Sequence, residues 1–312
     1  MTGWKLIILM AILSVICAPD LMAQCCGAGN PISTSQGDAI MKKGQMQVML
    51  GYRHSSSDDY YDGSHLENTD FPGRISHTGY DFLDLGMSYG LTRRLTIGAT
   101  IGYFIDKTED YKSDIFPDAH SSGFGDLGLR ANYTVYRNVR KGIDLTPFIM
   151  VKFPIGKFDC ESEGIKLPLA MQPSSGSFKY SVGFSGSYNI NRWLYLTTFN
   201  QFEYSQRIKS KNFDYQYGPL WNLNVACRAR ALKNLQAGIQ IGYENKGKSK
   251  NDGLILDGSD YQMLKLTPQV TGIYSDFQLS AGVDIPVWRY VGGMQMSNKW
   301  ALQLNIAYNF KL

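Results

Sequence analysis

Long apolar runs are missing from this chain once its first two dozen residues are passed. No later stretch approaches the roughly 18 residues of a membrane-spanning helix, and the mean hydropathy is slightly negative. Helical membrane spanning is therefore excluded. Cysteine is scarce: five in 312 residues, and the four beyond the leader, Cys25, Cys26, Cys160 and Cys227, are too scattered for a disulfide framework. An excess of one charge is lacking too, since 31 basic and 27 acidic residues leave a net of +4 with the signs mixed along the chain. Nucleic acid is not implied as a partner. No Pro/Gly/Ser-rich linker breaks the sequence, so a length that would otherwise suggest two domains reads as one. Aromatics and small residues are what the chain has in quantity, with 13% aromatics, 20 Tyr and 32 Gly. That composition fits an all-β protein, either a secreted sandwich or propeller or a membrane barrel.

The N-terminus reads as a removable address. Lys5 precedes an apolar run from Leu6 to Ala18, Pro19 and Asp20 punctuate its exit, and the small Ala23 stands before polar sequence. Residues 1–23 are predicted to be a signal peptide cut after Ala23. A lipoprotein would need a small residue before the modified cysteine, but Cys17 follows Ile16 and Cys25 follows Gln24. Residues 24–43 show no alternation and form either a small plug, with Cys25, Cys26, Asn30 and Pro31 as its candidate residues, or a periplasmic tail. The adjacent thiols of Cys25 and Cys26 suit a soft metal, yet no further Cys or His lies near them in sequence. No cofactor is expected.

From residue 44 to 312 the sequence alternates. Trp300, Leu302, Leu304, Ile306, Tyr308 and Phe310 interleave with Ala301, Gln303, Asn305, Ala307 and Asn309, and Leu95 to Tyr103 repeats the pattern against Thr96, Gly98, Thr100 and Gly102. A period of two is a strand with one greasy face and one small, polar face. The whole chain read this way gives strands near 44–54, 77–91, 94–106, 121–137, 142–156, 176–190, 193–206, 216–231, 233–246, 260–273, 276–287 and 298–310. That is twelve, joined alternately by tight turns and by connections of up to about twenty residues, with aromatics near the strand ends. An even number of long strands, short turns on one side and long loops on the other is the pattern of an up-and-down antiparallel barrel in the outer membrane of a Gram-negative bacterium. The long loops then face outward. Outer-membrane lipid and, through the last strand, the barrel-insertion machinery are the partners this implies.

With the greasy parity placed outward, the inward set includes Arg53, Asp126, Arg130, Lys152, Glu203, Glu244, Lys265 and Asp284. Both signs face inward. Ionisable groups at membrane depth either meet water or pair with one another, so these line a wet channel or close a narrow one. The four histidines, His54, His65, His77 and His120, fall at or beyond the outer ends of the first strands with Asp58, Asp59, Asp62, Asp70 and Asp118, where solvated loop polarity and a shared cation site are the two readings. His120-Ser121-Ser122 and Ser76-His77 supply hydrolase residue types, but neighbours in a strand face opposite sides and form no dyad by themselves. The chain is not expected to be an enzyme.

Several stretches resemble the MetA-pathway phenol-degradation family of outer-membrane proteins, relatives of the long-chain fatty-acid porins. They are GFGDLGLRANYTV from Gly123, MVKFPIGKFD from Met150, QPSSGSFKYSVGFSGSY from Gln172 and LTPQVTGIYSDFQLSAGVDIPVWRYVGGMQM from Leu266, followed by the aromatic-ended last strand. The C-terminus departs from the pattern, since Lys311 and Leu312 follow Phe310, although Leu312 keeps the outward parity. The resemblance implies passive passage of small hydrophobic or aromatic molecules. A non-conducting binding barrel and a lipid-modifying barrel enzyme are the alternatives.

Overall fold

In the computed structural model the described residues are 40–68, 74–112, 117–162, 164–210 and 213–311. The expected signal peptide, the plug candidates Cys25, Cys26, Asn30 and Pro31, and Asp70 lie outside them. Twelve strands form the wall: β1 (Gln45–Ser57), β2 (Ile75–Gly90), β3 (Leu95–Tyr111), β4 (Ala119–Tyr133), β5 (Ile143–Phe153), β6 (Lys179–Asn189), β7 (Leu194–Ser205), β8 (Leu220–Leu232), β9 (Leu235–Lys246), β10 (Tyr261–Tyr274), β11 (Phe277–Ser297) and β12 (Trp300–Lys311). Each pairs antiparallel with its sequence neighbour, and β12 returns to β1 with Gln45 opposite Lys311 and Ser56 opposite Trp300. The sheet is thus a closed all-β barrel.

Side chains whose own atoms terminate the backbone make the inner turns. Thr92 Oγ1 accepts from the backbone N–H of Arg94 and Leu95 at 3.1 and 2.9 Å, and Asn191 Oδ1 accepts from those of Trp193 and Leu194 at 2.8 and 2.9 Å. Thr and Asn hold such turns because their short polar side chains mimic a backbone acceptor. The outer connections are elaborate instead. Ile208–Ser210, Phe213–Gln216, Lys250–Asn251 and Leu254–Ile255 build a four-stranded sheet from two loops, and Asp59–Gly63 pairs with the end of β11. β11 carries the sixth outer turn within it: its first part follows β10 up to Val291, Gly293 adopts φ +99°, and Gln295 to Ser297 then pair with Tyr61 to Asp59. Two small apolar clusters, Tyr60/Ile75/Met296 and Ala119/Leu167/Met171, share Tyr111 as a packing partner and tie the outer loops together.

The strand boundaries agree with the alternation to within a few residues in mid-barrel and differ at the outer ends. β3 runs on to Tyr111 because the outer ends of β2 and β4 pair with it, and β11 to Ser297 because Asp59–Gly63 supplies a partner beyond the wall; β5 ends at Phe153, where its chain turns inward.

Burial follows the two parities. Leu304, at 41% exposure, stands with Ile306, Ile239, Ile241, Val182 and Leu279 on an exposed apolar exterior, while Ala301, Ala307, Thr146, Ser181, Asn222 and Ala226 are buried inside. A continuous apolar exterior of this extent needs hydrocarbon against it. Exposed Tyr133, Tyr136, Tyr188, Trp193, Trp221 and Tyr274 lie toward the strand ends, as an interfacial girdle requires. A barrel without a free edge resists detergent until heated, because no strand can peel away singly. An unboiled sample is expected to migrate faster than a boiled one on a gel; identical migration would exclude closure.

Candidate functional site

The interior is the candidate site, and a belt of paired charges runs around it. Period-two alternation turns each residue inward, and the cross-strand register then decides its partner. Arg53 of β1 contacts Asp284 of β11 at 2.7 Å, donates from Nε to the Tyr80 hydroxyl at 2.9 Å, and Thr267 Oγ1 donates to the same aspartate at 2.7 Å. Lys265 of β10 meets Glu244 of β9 at 2.8 Å, and the Tyr261 hydroxyl donates to that glutamate. On the opposite wall Lys152 of β5 meets Glu203 of β7 at 2.9 Å, with Lys179 of β6 at 3.8 Å from the same carboxylate. Within each pair, charges this close largely cancel each other's field.

Asp126 does something else: it anchors a loop. The connection from β5 to β6, residues 154–178, folds into the barrel mouth, and the Asp126 carboxylate accepts from Ser174 Oγ at 2.7 Å, Ser175 Oγ at 2.6 Å and the Ser175 backbone N–H at 3.1 Å. Lys107 Nζ donates to the Gln172 carbonyl at 3.1 Å, Ser121 Oγ to the Met171 carbonyl, and the Tyr217 hydroxyl to the Ser175 carbonyl at 3.0 Å. The loop also braces itself, since the Gln172 side chain bonds the backbone of Cys160 in both directions, at 2.8 and 3.1 Å, and Leu167. Met171 is completely buried. Glycine permits the inward path where the chain leaves β5, because a Cβ on Gly156 would stand 1.7 Å from the Phe124 carbonyl oxygen. Burial in this mouth pushes the Tyr217 phenol and the Cys160 thiol upward.

Toward the inner end aromatic and amide groups take over. The Arg130 guanidinium lies 3.7 Å above the Phe148 ring, which stacks on Phe199 at 5.3 Å with Met150 alongside. Amides bond one another around the wall: Gln47 Nε2 to Asn309 Oδ1 at 3.0 Å, Gln240 Nε2 to Asn224 Oδ1 at 3.1 Å, and Asn224 Nδ2 to Asn222 Oδ1 at 2.9 Å. Met41, ahead of β1, is buried and donates its backbone N–H to Thr96 Oγ1 at 3.2 Å.

The eight charged residues singled out in the sequence thus separate into groups. Six enter the three ion pairs, Asp126 holds the loop and Arg130 covers an aromatic pair. Sequence reasoning missed the inward loop, whose only trace is the small-residue run Ser174-Ser175-Gly176-Ser177, and it missed Lys107, Lys179 and Tyr217 beside it. Three histidines pair with aspartates on adjacent strands: His54 with Asp81 at 3.0 Å, His77 with Asp110 at 3.3 Å and His120 with Asp106 at 3.2 Å. Among the described residues no three metal-binding side chains converge. Ser121 points inward to Met171 whereas His120 faces Asp106, so these two form no dyad.

No family model matches the chain, and no curated protein matches it. Solved structures do. The COG4313 outer membrane channel from Pseudomonas putida F1 superposes with a TM-score of 0.73 at 16% identity, covering 90% of this chain and 100% of that one. The translocator domain of the autotransporter NalP from Neisseria meningitidis gives a TM-score of 0.51 at 10% identity, covering 88% of this chain and 91% of that one. A FadL homologue from Pseudomonas aeruginosa gives 0.45 at 9% identity over 85% and 90%. At these identities the first two establish the fold, that of an outer-membrane barrel.

Proposed function

We propose that this chain sits in the bacterial outer membrane and passes small molecules of no net charge across it by passive transport. The observation that carries the reading is the interior: a closed barrel with an apolar exterior, six of whose inward charges are tied in three pairs and whose outer mouth is narrowed by a loop fixed to Asp126. A purely structural barrel would have no use for an inward loop latched by two strands and a neighbouring loop at once. The similarity in fold to the Pseudomonas putida channel supports the same reading. Cargo of hydrophobic or aromatic character is what the motif resemblance adds. Residues 24–43 complete the proposal as a plug at the inner mouth, supported by the burial of Met41 against Thr96.

Single-channel recording in planar bilayers tests this. Small, weakly ion-selective currents are expected from the whole protein, and larger ones after deletion of Ala28–Met41. Silence in both would favour the non-conducting binding barrel. A second outcome concerns selectivity: Lys152→Met leaves Glu203 with only the more distant Lys179, so the current should shift toward cations. An unchanged preference would place the conducting path away from the belt.

A further inference from the structure

Charge is divided unevenly between the two ends of the barrel. At the inner end Arg93, Arg140, Arg192 and Lys233 stand on the turns β2–β3, β4–β5, β6–β7 and β8–β9, while Lys43 and Lys311 flank the junction of β1 with β12. All six are exposed, and none has a carboxylate partner among the described residues. Two described carboxylates share this end: Asp144, which Arg137 already engages at 2.9 Å, and Asp276 on the remaining turn. The outer loops differ, for there Lys299, Arg207 and Lys248 each contact an aspartate.

Strand order makes the inner cations an arc rather than a patch. From β12 through β1 to β9 the ends of the wall carry or adjoin one of them, with a gap at the β10–β11 turn, where Asp276 stands. Their neighbours are apolar. Val139, 86% exposed, is next to Arg140, and Leu232, 65% exposed, is next to Lys233, while the Arg192 guanidinium lies 5.0 Å from the centre of the Trp193 ring. Apolar and aromatic groups interleaved with cations at the end of a membrane wall match a headgroup layer, where rings and methyls reach acyl chains and cations reach phosphates. An acidic protein docking from the periplasm needs one patch. An arc along most of the perimeter meets a partner that surrounds the barrel, and lipid does so. Like charges on one rim also repel one another, and an anionic surface relieves that repulsion.

We propose that the inner rim is a binding surface for anionic phospholipid headgroups, of the phosphatidylglycerol type, in the leaflet that faces the periplasm. The surface is separate from the lumen and does not depend on conduction.

Electron spin resonance of spin-labelled lipids tests this, with the refolded full-length protein in phosphatidylcholine vesicles. The fraction of label immobilised at the barrel surface gives the relative affinity for each lipid. Labelled phosphatidylglycerol should associate about fivefold more tightly than labelled phosphatidylcholine in low salt, the effect of about one surface cation per headgroup. Raising the salt to about 1 M, which shortens the screening length to about 3 Å, should remove most of that preference. Arg93→Gln, Arg140→Gln, Arg192→Gln and Lys233→Gln combined should lower it to less than about twofold, with heat-modifiable migration reporting that the barrel folds. Arg192→Gln with Lys233→Gln alone carries the same test, at about half the loss, should the fourfold variant not fold. Lys248→Gln with Lys299→Gln, at the outer end, should leave the preference unchanged. A preference that survives salt, one untouched by the inner substitutions, or one lost equally in the outer variant overturns the proposal. Equal affinity for the two lipids overturns it as well and leaves the rim to an acidic protein.

Discussion

Ile239→Arg and Leu304→Arg should each destabilise the barrel by about 2 to 4 kcal/mol, because both project a guanidinium from mid-strand into hydrocarbon. The two residues stand on β9 and β12 with exposed apolar side chains and no described polar partner. One position further on, Gln240→Arg turns the same group inward, where Gln240 already bonds Asn224 among other amides. That variant should fold with a small loss. Urea titration of refolded protein in lipid vesicles, followed by the gel shift of folded material, measures all three. Equal damage at 239 and 240 would mean that the apolar parity is not the lipid face. Because side chains in a strand change face with every residue, no other comparison of adjacent positions separates the two environments so sharply.

The second large effect concerns the loop. Asp126 accepts three hydrogen bonds from two consecutive serines, and bonds to a charged acceptor contribute about 1.5 to 3 kcal/mol each, with strong overlap when they share one carboxylate. Asp126→Ala is therefore expected to cost the inward position of residues 154–178 about 3 kcal/mol, roughly a hundredfold in the equilibrium between latched and released loop. The barrel wall, held by its own ladders, should remain folded. Conductance should rise several-fold and become noisier as the loop moves. Asp126→Asn, which keeps an acceptor oxygen but not the charge, should fall between the two. If the alanine variant folds and its conductance equals that of the original protein, the loop is not what narrows the path. The remaining contacts of Lys107 and Tyr217 with loop carbonyls bear on the same equilibrium, and their removal should add to the effect of Asp126 less than fully, since all three hold one segment.

The wall was readable from the chain alone, and the mouth was not. Alternation such as Leu302, Leu304, Ile306 against Gln303, Asn305, Ala307 is local: a period of two assigns every residue of a strand to one face as soon as the strand exists. Counting such stretches yields twelve strands, and the alternation of short and long connections yields their up-and-down order. The inward placement of Arg53, Glu203 or Asp284 follows by the same parity, without knowledge of any neighbour. Which of these charges meet is a different matter. Arg53 and Asp284 are 231 positions apart and become partners only when β12 closes onto β1 and fixes the register of both sides. Asp126 has the parity of a lining residue, yet the serines that claim it belong to a loop with no alternation, whose inward turn depends on the space left inside a twelve-stranded wall and on the short β5. Sequence by itself determined the faces and the strand number, because those depend on local geometry. Only the closed tertiary structure decided the pairs and the latch, because each is a meeting of groups that register and closure bring together from distant parts of the chain.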